Sequence, residues 1–162
     1  LSEGGLPAMS WTASGAGVLG RGALLLIDYG FPRREFYHAQ RREGTLMCHY
    51  RHNAHSDPFF LPGLQDITAH VDFTAIAEAG TEAGLDFLGY TTQAAFLFNC
   101  GLTEVLARNA ADDPRRYLPI ANDAQKLISP AEMGELFKVI ALGRGIDEPL
   151  LGFISGDRSG TL

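Results

Sequence analysis

All five histidines of this 162-residue sequence, His38, His49, His52, His55 and His70, fall between positions 38 and 70. Three of them repeat as His49-x-x-His52-x-x-His55. Neutral imidazole is the commonest metal ligand, so a zinc or iron site is the first chemistry to weigh. The surroundings do not complete one. No Cys pair, His-Glu-x-x-His or carboxylate at ligand spacing accompanies the repeat, and a metal needs a convergent shell rather than proximity along the chain. Histidines 49, 52 and 55 are therefore expected to hold no metal and to satisfy backbone polar groups of a loop.

The carboxylates offer a second chemistry. Asp28 ends the most apolar run, Ala23–Asp28, and is followed by Tyr29-Gly30. In open α/β sheets ligands bind outside the carboxyl ends of strands, which puts Asp28 and Tyr29 where function concentrates. The structural alternative is that Asp28 caps the next turn and Tyr29 packs. Asp66-Ile-Thr-Ala-His70-Val-Asp72-Phe73 brings two carboxylates, a hydroxyl and an imidazole just ahead of a helix. Asp72 reads as that helix's N-cap, and His70 either faces a cleft or packs. No Ser or Cys sits in a nucleophile-elbow context. Gly15-x-Gly17-x-x-Gly20 matches a dinucleotide fingerprint in form, but it precedes the strand it should follow. Cys48 and Cys100 lack an activating motif and read as core thiols.

The elements that must position these groups follow from patterning. A length of 162 residues with 46% hydrophobic and 20% charged residues implies one globular domain. Ala23–Ile27 is the longest aliphatic run, far too short to span a bilayer. No basic segment followed by an apolar stretch opens the sequence, so no secretory signal is expected in it. A net charge of −6 argues against a nucleic-acid binder. Eleven arginines against two lysines point to a GC-rich bacterial genome, and two cysteines to a reducing cytoplasm.

Residues 8–19 suit a short helix with Met9, Trp11, Ala13, Ala16 and Leu19 inward, weakened by Gly15 and Gly17. The continuous run 23–28 suits a strand buried on both faces, as in a parallel sheet. Pro32 opens a short helix, and 45–50 is a second strand. The stretch 51–66, with Asp57-Pro58 and Pro62-Gly63, is a long loop of the kind that carries function. Helices are expected over 73–83 and after Thr92, through Val105-Leu106, and over 115–128, with strands at 86–91, 137–142 and 150–154. Ser129-Pro130-Ala131-Glu132 reads as a capping box opening one further helical turn. The whole is α/β: sheet strands at 23–28, 86–91 and 137–142, with loop and helical inserts at 50–85 and 92–135.

Several of these strings recur together. Leu25-Leu26-Ile27-Asp28-Tyr29-Gly30, Gly44-Thr45-Leu46, Tyr50-Arg51-His52, Asp57-Pro58, Pro62-Gly63 and Asp66 through Phe73 occur in that order, then Thr92-Gln93 and Met133 through Val139. In this the chain resembles the MidA family of class I S-adenosylmethionine-dependent methyltransferases over nearly its whole length. The resemblance implies a Rossmann-like sheet with a helical insert. It also implies protein-arginine methylation, which in mitochondrial members assists assembly of respiratory complex I.

The family's glycine-rich donor loop and the acidic residue ending its second strand have no counterpart here. With Leu1 in place of Met, the chain is therefore expected to be a C-terminal portion lacking the donor-binding strands. S-adenosylmethionine would serve the parent enzyme, with no cofactor and no activity expected for the chain alone. The acceptor side would remain, with a protein substrate such as a respiratory-complex subunit. Carboxylates suit a guanidinium, which they pair bidentately and whose proton they can accept. The candidates are Asp28, Tyr29, His52, His55, Asp57, Asp66, His70 and Asp72, with Tyr50–Asp66 as the acceptor-facing loop. An exposed edge at 23–28 would drive homo-oligomerisation. A non-catalytic interaction module and a metal-dependent hydrolase are the competing readings.

Overall fold

A computed structural model describes residues 5–51, 53–108 and 113–162. Helix α1 (Leu6–Val18) leads into strand β1 (Gly22–Phe31), the turn-length helix α2 (Arg33–Phe36) and strands β2 (Met47–Tyr50), β3 (Asn53–His55), β4 (Asp66–Thr68) and β5 (Val71–Asp72). Helix α3 (Phe73–Glu82), strand β6 (Asp86–Thr92), helices α4 (Gln93–Asn99), α5 (Leu102–Arg108) and α6 (Pro114–Ile128) and strand β7 (Phe137–Arg144) follow. Two 3₁₀ turns, Leu151–Phe153 and Ser159–Thr161, end the chain.

The main sheet has the order β5-β1-β7-β6. It is mixed: β7 runs antiparallel to both β1 and β6, and only the two-residue β1–β5 pairing is parallel. This corrects the expectation of a parallel sheet. The strand buried on both faces is β7, where Val139, Ile140, Ala141 and Leu142 are all inaccessible. β1 instead alternates. Leu24 and Leu26 pack on the core, while Leu25 and Ile27 on the other face are 46% and 48% exposed. Helices α1 and α3 cover the face carrying Leu24, Leu26, Ile140 and Leu142. On the opposite face, α4 and the first 3₁₀ turn cover β6 and β7, leaving the β1 half open.

Local signals account for most boundaries. The Asp72 carboxylate accepts the Ala75 N–H at 3.1 Å and opens α3. The Thr92 hydroxyl accepts the Ala95 N–H at 3.3 Å and opens α4. α1 buries Thr12 and Ala16 and half-buries Ala8 and Met9, and Leu19 just beyond is half-buried too, while Trp11 and Ala13 face solvent. Met9, Ala16 and Leu19 thus lie inward as expected, and Thr12 takes the place of Trp11 and Ala13. Gly80 lets α3 lie against β7, since a β-carbon there would stand 2.6 Å from a Leu142 methyl.

Four further expectations are corrected. Ser129 ends α6 rather than starting a helix: its N–H binds the Gln125 carbonyl, and its carbonyl accepts from Glu132 and Gly134. Those bonds wind residues 130–136 into turns, and Gly134 presses so close to Ile128 that a β-carbon would meet its carbonyl at 2.1 Å. Residues 151–153 form a 3₁₀ turn, not a strand. Gly152 is packed too tightly on Phe96 for side chains on both sides of a strand there. The stretch 50–85 is not only an insert. β2, β3 and β4 form their own antiparallel sheet in the order β3-β2-β4, and β5 joins the main sheet. Of the two cysteines, Cys48 is buried and Cys100 is exposed, so only Cys48 is a core thiol.

Candidate functional site

Beyond the carboxyl end of β1 the chain turns through Pro32 into α2 and then folds back along 37–46 before β2. The space between this segment and Phe31 is a cleft of about 890 Å³. Its aromatic members are Phe31, Phe36 and Tyr37, its charged ones Arg41, Arg42 and Glu43, and His38, Thr45, Ser56 and His70 complete its polar lining.

Phe31 is the pivot. Its register opposite Asp72 in β5 brings it beside His70, whose ring stacks on it at 5.0 Å and 15°. Tyr29 stands edge-on to His70 at 5.2 Å and to Phe137 at 5.4 Å. Arg41 supplies the next layer, with its guanidinium carbon 3.6 Å from the Phe31 centroid. Lys138 lies 5.9 Å from the same ring. Its ammonium donates to the carbonyls of Glu135 and Leu136, and burial, ahead of any neighbouring charge, pulls its pKa down. The segment is tied in place through Thr45, whose hydroxyl accepts the His70 N–H at 2.9 Å.

Of the residues singled out from sequence, His70 and Tyr29 come together here. Asp28 sits at the rim of an adjacent apolar groove and accepts the Tyr29 N–H at 2.8 Å. Asp72 serves structure, with one oxygen on the Ala75 N–H and the other 3.4 Å from Arg33. Arg33 also pairs in a fork with Glu78 and holds that carboxyl below the ordinary glutamate value. His55, Asp57 and Asp66 belong to the small sheet and its connecting loop. Asp57 accepts the Phe59 N–H, closing a turn, and His55 Nδ1 accepts the Asp57 N–H. Asp66 pairs with His49 in the ladder and is exposed. The loop reaches the cleft through Ser56, and His52 lies outside the described residues. Across β2–β3, His49 stands opposite Ala54 and His55 opposite Cys48. Successive strand residues face opposite ways, so these two imidazoles cannot converge on one ion.

Sequence reasoning missed Phe31, Arg41 and Arg42. The available signal was charge: five of the eleven arginines of this acidic chain lie between 33 and 51.

The described turns from strand to α-helix, β1–α2, β5–α3 and β6–α4, carry Pro32, Asp72 and Thr92 and no glycine to admit a ligand against the backbone.

The fold and cleft define an α/β domain with a cationic, aromatic-floored cleft. The chain belongs to the family described as "Putative S-adenosyl-L-methionine-dependent methyltransferase", which it matches over residues 2–91. It is similar to the mitochondrial protein arginine methyltransferase NDUFAF7 of Danio rerio, 30% identical over 122 residues, and to that of Rattus norvegicus, 32% identical over 123. Each match covers 75% of this chain, and the chain spans 27% and 26% of those relatives. A solved structure from Burkholderia thailandensis, titled a "likely methyl transferase" bound to S-adenosyl-homocysteine, superposes with a TM-score of 0.93 at 62% identity. That superposition covers 95% of this chain and 40% of that one. An uncharacterized protein of the same organism gives a TM-score of 0.92 at 62% identity, covering 95% and 41%.

Proposed function

We propose that this chain forms the acceptor side of an S-adenosylmethionine-dependent methyltransferase acting on arginine of a protein substrate. The observation that carries the reading is the 62% identity and TM-score of 0.93 to a protein solved with S-adenosyl-homocysteine. Arginine as the acceptor is supported by the NDUFAF7 relatives. Placement of the chain on the acceptor side is supported by its described strand-to-helix turns, which carry no glycine to admit the donor against the backbone. A place within a longer enzyme of MidA type, with activity depending on the remaining length, fits the share of the relatives that the chain spans, and a bacterial source fits the Burkholderia thailandensis structures.

On this reading the chain's own residues bind and orient. Phe31, stacked on by His70 and by Arg41, forms with Tyr29 a row held by packing rather than by flexible polar contacts. Rigid placement of an acceptor nitrogen is worth several orders of magnitude in rate, because methyl transfer is mainly a positioning problem. Glu43 is the carboxylate in the lining of the cleft, and the acceptor's proton is assigned to it. The hydrolase reading has no support in the hairpin, where His49 and His55 diverge.

The test is transfer of a tritiated methyl group from S-adenosylmethionine by a protein carrying this chain together with the additional length of its relatives. Amino-acid analysis of the hydrolysed product is expected to place the label on methylarginine. Label on lysine or a carboxylate alone overturns the acceptor assignment.

A further inference from the structure

The cleft is a cationic surface on an acidic molecule. The chain carries a net charge of −6, yet the cleft presents Arg41, Arg42 and His38 against the single carboxylate of Glu43. Arg41 is half-buried and fixed by its stack on Phe31. The ring below is fixed in turn by His70. Other arginines of the fold use their guanidiniums inside it: Arg33 on Glu78, Arg144 on four helix-end carbonyls, Arg158 on Glu135. The Arg41 guanidinium donates to no described residue and lies over the aromatic face of Phe31. Stacking engages the plane of a guanidinium and leaves its N–H edge free to donate, in a fork that matches a carboxylate.

We infer that this cleft is a receptor for the carboxylates of an acidic protein segment, with Arg41 and Arg42 as its recognition groups. The inference rests on the acceptor-side reading above and narrows its substrate class to an arginine set among Asp and Glu. The stack prepays the ordering of Arg41, which is otherwise a main cost of using a long side chain for recognition. Repulsion supplies the other half of the selectivity. A lysine-rich or arginine-rich segment meets like charge on the same wall, and such juxtaposition discriminates more sharply than an added contact.

Fluorescence anisotropy of the intact chain with labelled peptides tests this, each peptide holding one arginine flanked by Glu and Asp, by Gln and Asn, or by Lys. The acidic peptide is expected to bind roughly tenfold or more tighter than the neutral one, to weaken with added salt, and the lysine peptide to bind weakest. Arg41→Gln and Arg42→Gln are each expected to weaken the acidic peptide by roughly tenfold. Arg115→Gln, at an exposed site on α6, leaves it unchanged. Circular dichroism establishes that each variant is folded. Equal affinity for acidic and neutral peptides, or full affinity in both cleft variants, overturns the inference. So does competition by inorganic phosphate at the concentration of the acidic peptide, since the cleft would then hold a free anion. Methylation separates this inference from the reading beneath it. Acidic and neutral peptides methylated with equal efficiency would remove the inference alone. Acidic peptides that bind through Arg41 and Arg42 yet are never methylated would leave it standing and remove the acceptor-side function.

Discussion

A β-carbon added at Gly30 would stand 2.2 Å from the carbonyl oxygen of Val71 and 2.8 Å from its amide nitrogen. Ordinary contact begins near 3.4 Å, so Gly30→Ala requires β1 and β5 to separate by more than 1 Å, roughly the margin within which a ladder hydrogen bond survives. Only two register pairs join these strands, Gly30↔Val71 and Phe31↔Asp72, so the pairing has nothing in reserve. Lost ladder bonds cost about 1 kcal/mol each and overpacking about 1–3 kcal/mol. Reduced freedom of the unfolded chain returns about 0.4–1 kcal/mol. The net is about 2–3 kcal/mol, a fall in melting temperature of roughly 4–12 °C for a chain of this size. Phe31 moves with β1 and His70 with β5, so the Arg41 seat loosens as well. Thermal denaturation followed by circular dichroism reads the first effect, and acidic-peptide anisotropy the second. Gly17→Ala is the matched control: it lies in α1 with nothing within 4 Å and gains about 0.5–1 kcal/mol. A Gly30→Ala protein that melts with the wild type and binds peptide equally would refute the claim that this contact builds the cleft.

Arg144 donates to the carbonyls of Ala16 and Leu19 at the end of α1 and of Ala83 and Gly84 at the end of α3. Arg144→Met should therefore cost about 2–3 kcal/mol by urea denaturation, and Arg144→Lys should recover only part. Tyr90 is fully buried and its hydroxyl has no partner among the described residues, so Tyr90→Phe should stabilise by about 1–2 kcal/mol. Burial, ahead of any charge, raises the Tyr90 pKa. The stability tied to its proton is fully present below the ordinary tyrosine value of 10.0 and lost as pH climbs from there toward the raised value. The gap between Tyr90→Phe and wild type should therefore widen above that pH. Among the described residues, the edge of β1 away from β7 is paired only at Gly30 and Phe31. With Leu25 and Ile27 exposed beside it, the chain should self-associate, and Leu25→Lys should shift light scattering toward the monomer.

What the sequence made legible is what neighbouring residues decide among themselves. Asp72 and Thr92 announce their helices because a cap acts across three residues. Pro32 likewise marks the start of α2. Ser129-Pro130 misled because the same residues can close one helix or open another, and the choice falls to Gly134 packing on Ile128. The apolar run at 23–28 announced a strand but not its neighbours. Burial on both faces belongs to β7, whose place between β1 and β6 is a matter of topology. The site divides in the same way. Tyr29 and His70 were visible as aromatic and titratable residues at strand ends. Phe31 and Arg41 became site residues only through the β1–β5 register and the fold-back of 37–46, neither of which any local pattern encodes.

The central claim is that this chain serves the acceptor and not the donor. The most direct measurement uses a His70→Ala variant of a protein carrying this chain with the additional length of its relatives. It compares calorimetric affinity for S-adenosyl-homocysteine with the kcat/KM for methylation of an arginine-containing acidic peptide. Removing the ring that supports Phe31 should lower kcat/KM by roughly tenfold or more while donor affinity stays at the wild-type value. A loss of donor affinity in step with the loss of kcat/KM would contradict the assignment and place His70 and its cleft on the donor side.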